Sequence, residues 1–289
     1  MGTTSKITGT LATAISKVSG TVISGLANIM GQTISLFSNS AYSLSFDGTN
    51  DYVTMGDDSS IKITGPVTYN IWMYRDDWST FNSNAQLIMT FGPGKGIYTR
   101  WKSRRIQAFI YVNSAWHSVQ SLTNKFRAGH EYGAGNDGWH MMSIVWDGEF
   151  FKLYINGGVD TGTGDNDVIS VDIGAGAGQT IEYGTGTEMM LSKSSNADTS
   201  YWNQGGGVAL LDEASVWNAA LDESNLTAIY NSGVPINLGS DSGNYNKSGN
   251  LQAWWRFEEN TGTSIADSST NSNTATLVNG TAFSSTVPD

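Results

Sequence analysis

The stretch GWHMMSIVWDGEFFKLYING, residues 138–157, narrows the fold more than any other part of the chain. Two strand-favouring runs flank Asp147-Gly148, a dipeptide suited to a two-residue hairpin turn. An isolated hairpin is marginal in water, so it must join further strands. VTYNIWMYR (67–75) supplies one: Val67, Tyr69, Ile71 and Met73 face one way, and Thr68, Asn70, Trp72 and Tyr74 the other. YSLSFDGTNDYVTM alternates too, with turns at Asp47-Gly48 and near Asn50-Asp51. QLIMTF (86–91), RIQAFIYVN (105–113) and SVQSL (118–122) read as short strands, and GVALLDEASVWNAAL (207–221) as a strand pair or a strand and bend. One helix follows, with Asp222 as N-cap, Leu226, Ile229 and Tyr230 as its apolar stripe, and Gly233 closing it. Only 14% of residues are charged and 34 are glycine, which suits short strands and turns better than helices. The spacing of strands and turns predicts an antiparallel sandwich.

Ahead of this lies an eleven-residue echo. Ser5-Lys6-Ile7 returns as Ser16-Lys17-Val18 and more loosely as Ala27-Asn28-Ile29, with Gly9, Gly20 and Gly31 in step. Ile7, Leu11, Ile15, Val18, Val22, Leu26 and Ile29 would line one face of a helix, yet within each eleven the spacing also fits a strand. Glycines at about 1 kcal/mol each in a helix, together with Thr, Ser, Val and Ile, favour extended rungs. The stripe has no second layer of its own, so it needs a docking surface or a partner chain. The plainer reading is a poorly ordered leader.

At 289 residues the chain is one large domain, or one domain plus an extension. A formal net charge of −11 argues against nucleic acid and acidic membranes as partners. With no cysteine, disulfides, thiolate metal sites and cysteine nucleophiles are excluded. No apolar run of about 18 residues is present to span a membrane as a helix. The first residues, with Lys6 and apolar positions broken by Ser, Thr and Gly, make a poor signal peptide.

LSFDGTNDYVTM, VTYNIWMY, GWHMMSIVWDGEFFKLYING and LLDEASVWNAALDESNLTAIYNSG occur in that order. Together they resemble the laminin-G-like jelly roll of the concanavalin A-like lectin/glucanase superfamily, over roughly residues 41–233. The segment LQAWWRFEENTGTSIADSSTNSNTATLVNG (251–280) is similar to one that precedes the first strand in many such domains. Here it comes last, which implies a permuted sandwich with Trp254, Arg256 and Phe257 beside the first strands; the alternative is a small appended hairpin. The expected organisation is an arm over 1–40, a sandwich over 41–233, a linker over 234–250 and completing strands over 251–289. A late placement of these strands behind a repeated arm resembles virion proteins of tailed phages.

Glucanases of that superfamily carry two carboxylates on one strand face, and retaining chemistry holds them about 5–5.5 Å apart. Glu182 and Glu188 are six residues apart across glycines; Asp212-Glu213 and Glu258-Glu259 are adjacent pairs, which strand alternation sends to opposite faces. His117, His130 and His140 lack the spacing of a triad or a zinc site, and His140 reads as a packing residue. GAGAG (174–178) lacks the lysine and hydroxyl ending of a phosphate loop. These features predict a protein without catalytic residues. The superfamily often holds one structural calcium ion, and the resemblance implicates Asp47 and Asp212; the plainer reading makes Asp47 a turn former and Asp212 a solvated strand residue. The acid-rich loop 160–167 reads as a solvated turn. Of ten tryptophans, Trp139, Trp146, Trp217, Trp254 and Trp255 fall in core-like strands. Trp78, Trp101, Trp116 and Trp202 fall among Ser, Asn, Gln and Arg, and are the candidates for an outer carbohydrate-binding surface or for subunit contacts.

The expected protein is an all-β, antiparallel jelly-roll sandwich of concanavalin A-like type, with one short helix and an extended N-terminal arm. Its expected role is that of a non-catalytic virion subunit: a capsid decoration, head fibre or tail appendage. Residues 1–37 would dock on other virion subunits or on copies of itself, and the sandwich would adhere to cell-surface glycans. The rivals are an extracellular carbohydrate-binding module and a glycoside hydrolase with an unrecognised carboxylate pair.

Overall fold

The computed structural model describes residues 40–79, 84–92, 94–121, 138–158, 169–174, 178–193, 201–203 and 207–289, with the backbone of 28–29 and 32–33. The chain divides into two units, Met1–Phe37 and Ser38–Asp289. In the first, β1 (Asn28–Ile29) pairs antiparallel with β2 (Gln32–Thr33), so the echo is extended at that point. The rest of the echo lies outside the described residues, as do His130 and the loop 160–167.

The second unit is a two-layer antiparallel sandwich. In chain order its elements are β3 (Ser43–Ser45), β4 (Tyr52–Gly56), β5 (Val67–Arg75), β6 (Gln86–Gly92), β7 (Ile97–Lys102), β8 (Arg105–Val112) and β9 (Ala115–Gln120), followed by β10 (Gly138–Trp146), β11 (Phe150–Ile155), β12 (Ile169–Asp172), β13 (Glu188–Leu191) and β14 (Ala209–Trp217), then helix α1 (Glu223–Tyr230), β15 (Leu251–Trp255), β16 (Ser264–Ile265), β17 (Ala275–Val278) and β18 (Ala282–Ser284). One sheet runs β12-β11-β10-β5-β14-β3-β18, with β15 beside β14; the other runs β16-β17-β4-β13-β6-β7-β8-β9. The C-terminal segment enters both sheets: β15 pairs β14, β17 pairs β4 and β18 pairs β3.

Tyr69, Ile71 and Met73 of β5 point into the core between the sheets, as their alternation predicts. Tyr69 meets Phe91 of the facing sheet edge-on at 5.3 Å, and its hydroxyl donates to Ile61 O at 2.7 Å. The other face of β5 is buried as well, because α1 covers it: Trp72 stacks on Tyr230 at 5.7 Å. Asp222 caps α1 by accepting from Asn225 N. The helix ends at Asn231 in a left-handed conformation, two residues before Gly233, which instead closes the short turn that follows.

His140 and Asn156 explain the ends of the 138–157 hairpin. Asn156 Oδ1 accepts from Met141 N at 2.9 Å, and its Nδ2 lies 3.1 Å from His140 Nδ1. The next residue, Gly157, has φ +74 and presses against α1, where Thr227 Oγ1 donates to Gly157 O at 3.1 Å. In β14 one extra residue lies opposite β5 between Asp212 and Ser215, a β-bulge, and Glu213 sits there at φ +48.

Candidate functional site

The four tryptophans proposed for an outer surface separate. Trp78, Trp101 and Trp202 are fully buried, which corrects that expectation. They form an aromatic box: Trp78 meets Trp101 edge-on at 5.1 Å, lies 6.2 Å from Trp202, and meets the His140 ring at 5.3 Å. The Arg75 guanidinium sits 5.4 Å over Trp202 and donates to Gln86 Oε1 at 2.6 Å. Trp101 turns inward because Ile97–Lys102 is a strand, on which Ile97, Thr99 and Trp101 share the core face. Trp78 is held by its own Nε1–H, which donates to Gly138 O at 3.1 Å.

Trp116 is 42% exposed and stands on the solvent face of β7-β8-β9, at the end of the second sheet. Cross-strand register builds three rows there. Arg100, Gln107 and Gln120 lie opposite one another, as do Tyr98, Phe109 and Ser118, and Tyr111 lies opposite Trp116. Tyr98 stacks on Phe109 at 4.3 Å with 10° between the rings. Trp116 contacts Tyr98 and Tyr111 edge-to-face, each at 5.2 Å. The rows are braced by hydrogen bonds, Arg100 Nε to Gln107 Oε1 at 2.7 Å and Gln107 Nε2 to Gln120 Oε1 at 3.1 Å. Lys95, ion-paired to Glu182 at 3.0 Å, lies 4.8 Å over Tyr111. An aromatic platform with an amide row beside it is a surface that can stack on apolar ring faces and bond to hydroxyls at once.

The acidic residues make a separate, closed cluster. Alternation predicts that Asp212 and Glu213 leave opposite faces, but the bulge gathers both, with Glu258, near Ser40. Glu213 Oε1 accepts from Ser40 Oγ at 2.8 Å and faces Arg256 Nε at 3.4 Å, and Oε2 accepts from Trp254 Nε1. Glu258 accepts from Ala41 N. Asp212 Oδ1 accepts from Glu213 N at 2.8 Å, while its Oδ2 is buried without a hydrogen-bond partner. Burial pushes Glu213 up to about 7 against the lowering pull of Arg256, Trp254 and Ser40. Burial, then the charge of Glu213, holds Asp212 well above the usual carboxylate range. Asp212 is 0% and Glu213 2% exposed, so neither can reach a polysaccharide from this position.

Asp47 and Asp212, the two residues implicated in calcium binding, sit in different settings. Asp47 is exposed and forms its turn, its Oδ1 accepting from Thr49 N at 2.7 Å and Asn50 N at 3.2 Å, while Asp212 is buried rather than solvated. Among the described residues no three carboxylates or imidazoles gather where they would hold a metal ion. No helix among them is long and apolar enough to cross a membrane.

No family model and no curated protein matches the chain. Among solved structures it is similar to the binding domain of Paraclostridial Mosquitocidal Protein 1, at 14% identity and TM-score 0.46, over 67% of this chain and 52% of that one. It is also similar to the receptor binding domain of the botulinum neurotoxin C/D mosaic serotype, at 14% identity and TM-score 0.43, over 67% and 46%. The botulinum neurotoxin serotype G binding domain aligns at 15% identity and TM-score 0.42, over 62% and 37%. The chain thus spans about half the length, or less, of the structures it matches.

Proposed function

We propose that the sandwich is a non-catalytic glycan-binding module carried on a virion by its N-terminal arm. The observation that carries the glycan reading is the aromatic platform around the exposed Trp116, with the amides of Gln107 and Gln120 in the row beside Tyr98 and Phe109. Pyranose rings present apolar C–H faces and a rim of hydroxyls, and this surface matches both. The inaccessibility of Asp212 and Glu213 supports a binding rather than a hydrolytic role.

Trp116→Ala tests the reading, because the ring is partly exposed and its loss leaves the core intact. The variant is expected to melt within about 1 kcal/mol of the parent. It is expected to lose about tenfold or more of the parent's affinity on an array of immobilised polysaccharides, the loss usual for an anchoring tryptophan. A parent retained by no polysaccharide, or a variant retained equally, overturns it.

The repeated register of residues 5–37 supports the assembly role, with other virion subunits or further copies of this chain as partners. Residues 38–289 expressed alone are expected to fold as a monomer, whereas the full chain is expected to form larger species. Light scattering on the two proteins reads the difference, and equal masses for both would remove the arm from assembly.

A further inference from the structure

The chain's net charge of −11 conceals a division. Residues 78–130 contain seven Lys and Arg and no Asp or Glu, so this segment carries +7 against −18 for the rest. Four of the seven fall in RWKSRR, residues 100–105, which forms the end of β7, a turn and the start of β8. Lys102 and Arg105 are direct cross-strand partners, a like-charge placement that weakens a hairpin by about 0.2–1 kcal/mol. The turn between them puts Ser103 at φ +53 and Arg104 at φ +59, where Asn-Gly is the favoured pair. Arg104 ties the turn to the chain at Ser79, its Nε donating to Ser79 O at 2.6 Å, whereas the Lys102–Arg105 placement has no such gain for the hairpin itself.

Arg100 joins this cationic end to the aromatic platform. Its guanidinium lies 4.7 Å from the Phe109 ring and 5.9 Å from that of Tyr98, which Trp116 touches from β9, across β8. Its Nε is engaged by Gln107, and no carboxylate among the described residues forms an ion pair with it. Lys95, Lys152 and Arg256, by contrast, each have a carboxylate partner. The two Nη groups of Arg100 therefore offer a planar fork, the geometry that carboxylate and sulfate oxygens accept in pairs.

Resting on the glycan reading above, we infer that the platform selects acidic polysaccharides: sugar rings stack on Trp116 and Tyr98 while a ring carboxylate or sulfate ester meets Arg100, with Lys102 on the same strand two residues on. The −18 of the remaining chain repels polyanions at long range, so recognition is a short-range contact made on this face.

Biolayer interferometry with the full chain tests this on immobilised alginate, which bears carboxylates, laminarin sulfate, which bears sulfates, and neutral laminarin, with a poly-dT oligonucleotide as a polyanion without sugars of this kind at its surface. The parent is expected to bind at least one of the two acidic polysaccharides about tenfold or more tighter than laminarin, less tightly as salt rises. The stronger of the two identifies the anionic group. Arg100→Gln is expected to remove that tenfold preference, weakening binding to the acidic glycan about tenfold more than binding to laminarin; Arg100→Lys, which keeps charge but not the fork, is expected to retain part of it. If laminarin binds as tightly as the acidic glycans, or Arg100→Gln changes nothing, the selectivity falls and the glycan reading stands. If no polysaccharide binds, both fall. Tighter binding to poly-dT than to every polysaccharide assigns the face to nucleic acid and overturns the inference.

Discussion

Glu213→Gln is expected to make the sandwich more stable than its parent above pH 7 and no more stable below pH 4.5. The sign follows from the raised carboxyl of Glu213, at about 7 in the fold against 4.5 in an unfolded chain. A carboxyl that holds its proton more tightly when folded contributes stability that is complete below the unfolded value. That stability is lost as pH rises through the folded value, because the unfolded state then releases the proton more readily. Between 4.5 and 7 the loss is about 3 kcal/mol for this one group, and Asp212, raised by the same burial, adds in the same direction. Glutamine keeps an acceptor for Trp254 Nε1 and a polar partner for Ser40 Oγ without a charge to desolvate. Melting curves at pH 4.5, 6, 7 and 8 should show the parent falling on the order of 5–10 °C relative to the variant across the range. Parallel curves would mean that Arg256 compensates the ionised cluster fully.

Gly157→Ala carries the largest expected loss. A Cβ there would lie 2.8 Å from Leu226 O, 2.8 Å from Thr227 Cα and 2.9 Å from Thr227 N, all backbone atoms of α1. The left-handed φ of +74 adds its own strain for any residue with a side chain. Overpacking and strain together amount to about 2–5 kcal/mol. Relief requires α1 to move off the sheet, which would also part the Trp72–Tyr230 stack. The near-ultraviolet dichroism should therefore change along with the melting temperature. A variant that melts within 2 °C of its parent would show that α1 is seated loosely.

Where one period governed a whole strand, the sequence was readable. Alternation in residues 67–75 and 138–155 predicts the strands that become β5, β10 and β11, and Asp222 predicts the start of α1. The site was read less well, for two local reasons. Residues 97–102 carry Arg100 and Lys102 at the outward positions, and such charge hides a strand whose inward side is Ile97, Thr99 and Trp101. Without that strand, Trp101 looks like a surface ring and Tyr98 and Arg100 never enter the platform. The acidic cluster was hidden by the bulge. A bulge of this kind is normally signalled by glycine at its left-handed position, and here the residue is Glu213. Trp78 and Trp202 lie in turns among polar neighbours, where periodicity says nothing about which way a ring points.

Strand β18, at residues 282–284, lies against β3, at residues 43–45. A chain emerging from the ribosome N-terminus first must therefore leave that flank of β3 unpaired until some 240 residues later. Until β18 has been made the growing sheet shows an open strand edge to every neighbouring nascent copy, a template for unwanted strand exchange. That flank of the first sheet is thus built last, by a strand of three residues joined to one laid down at the beginning.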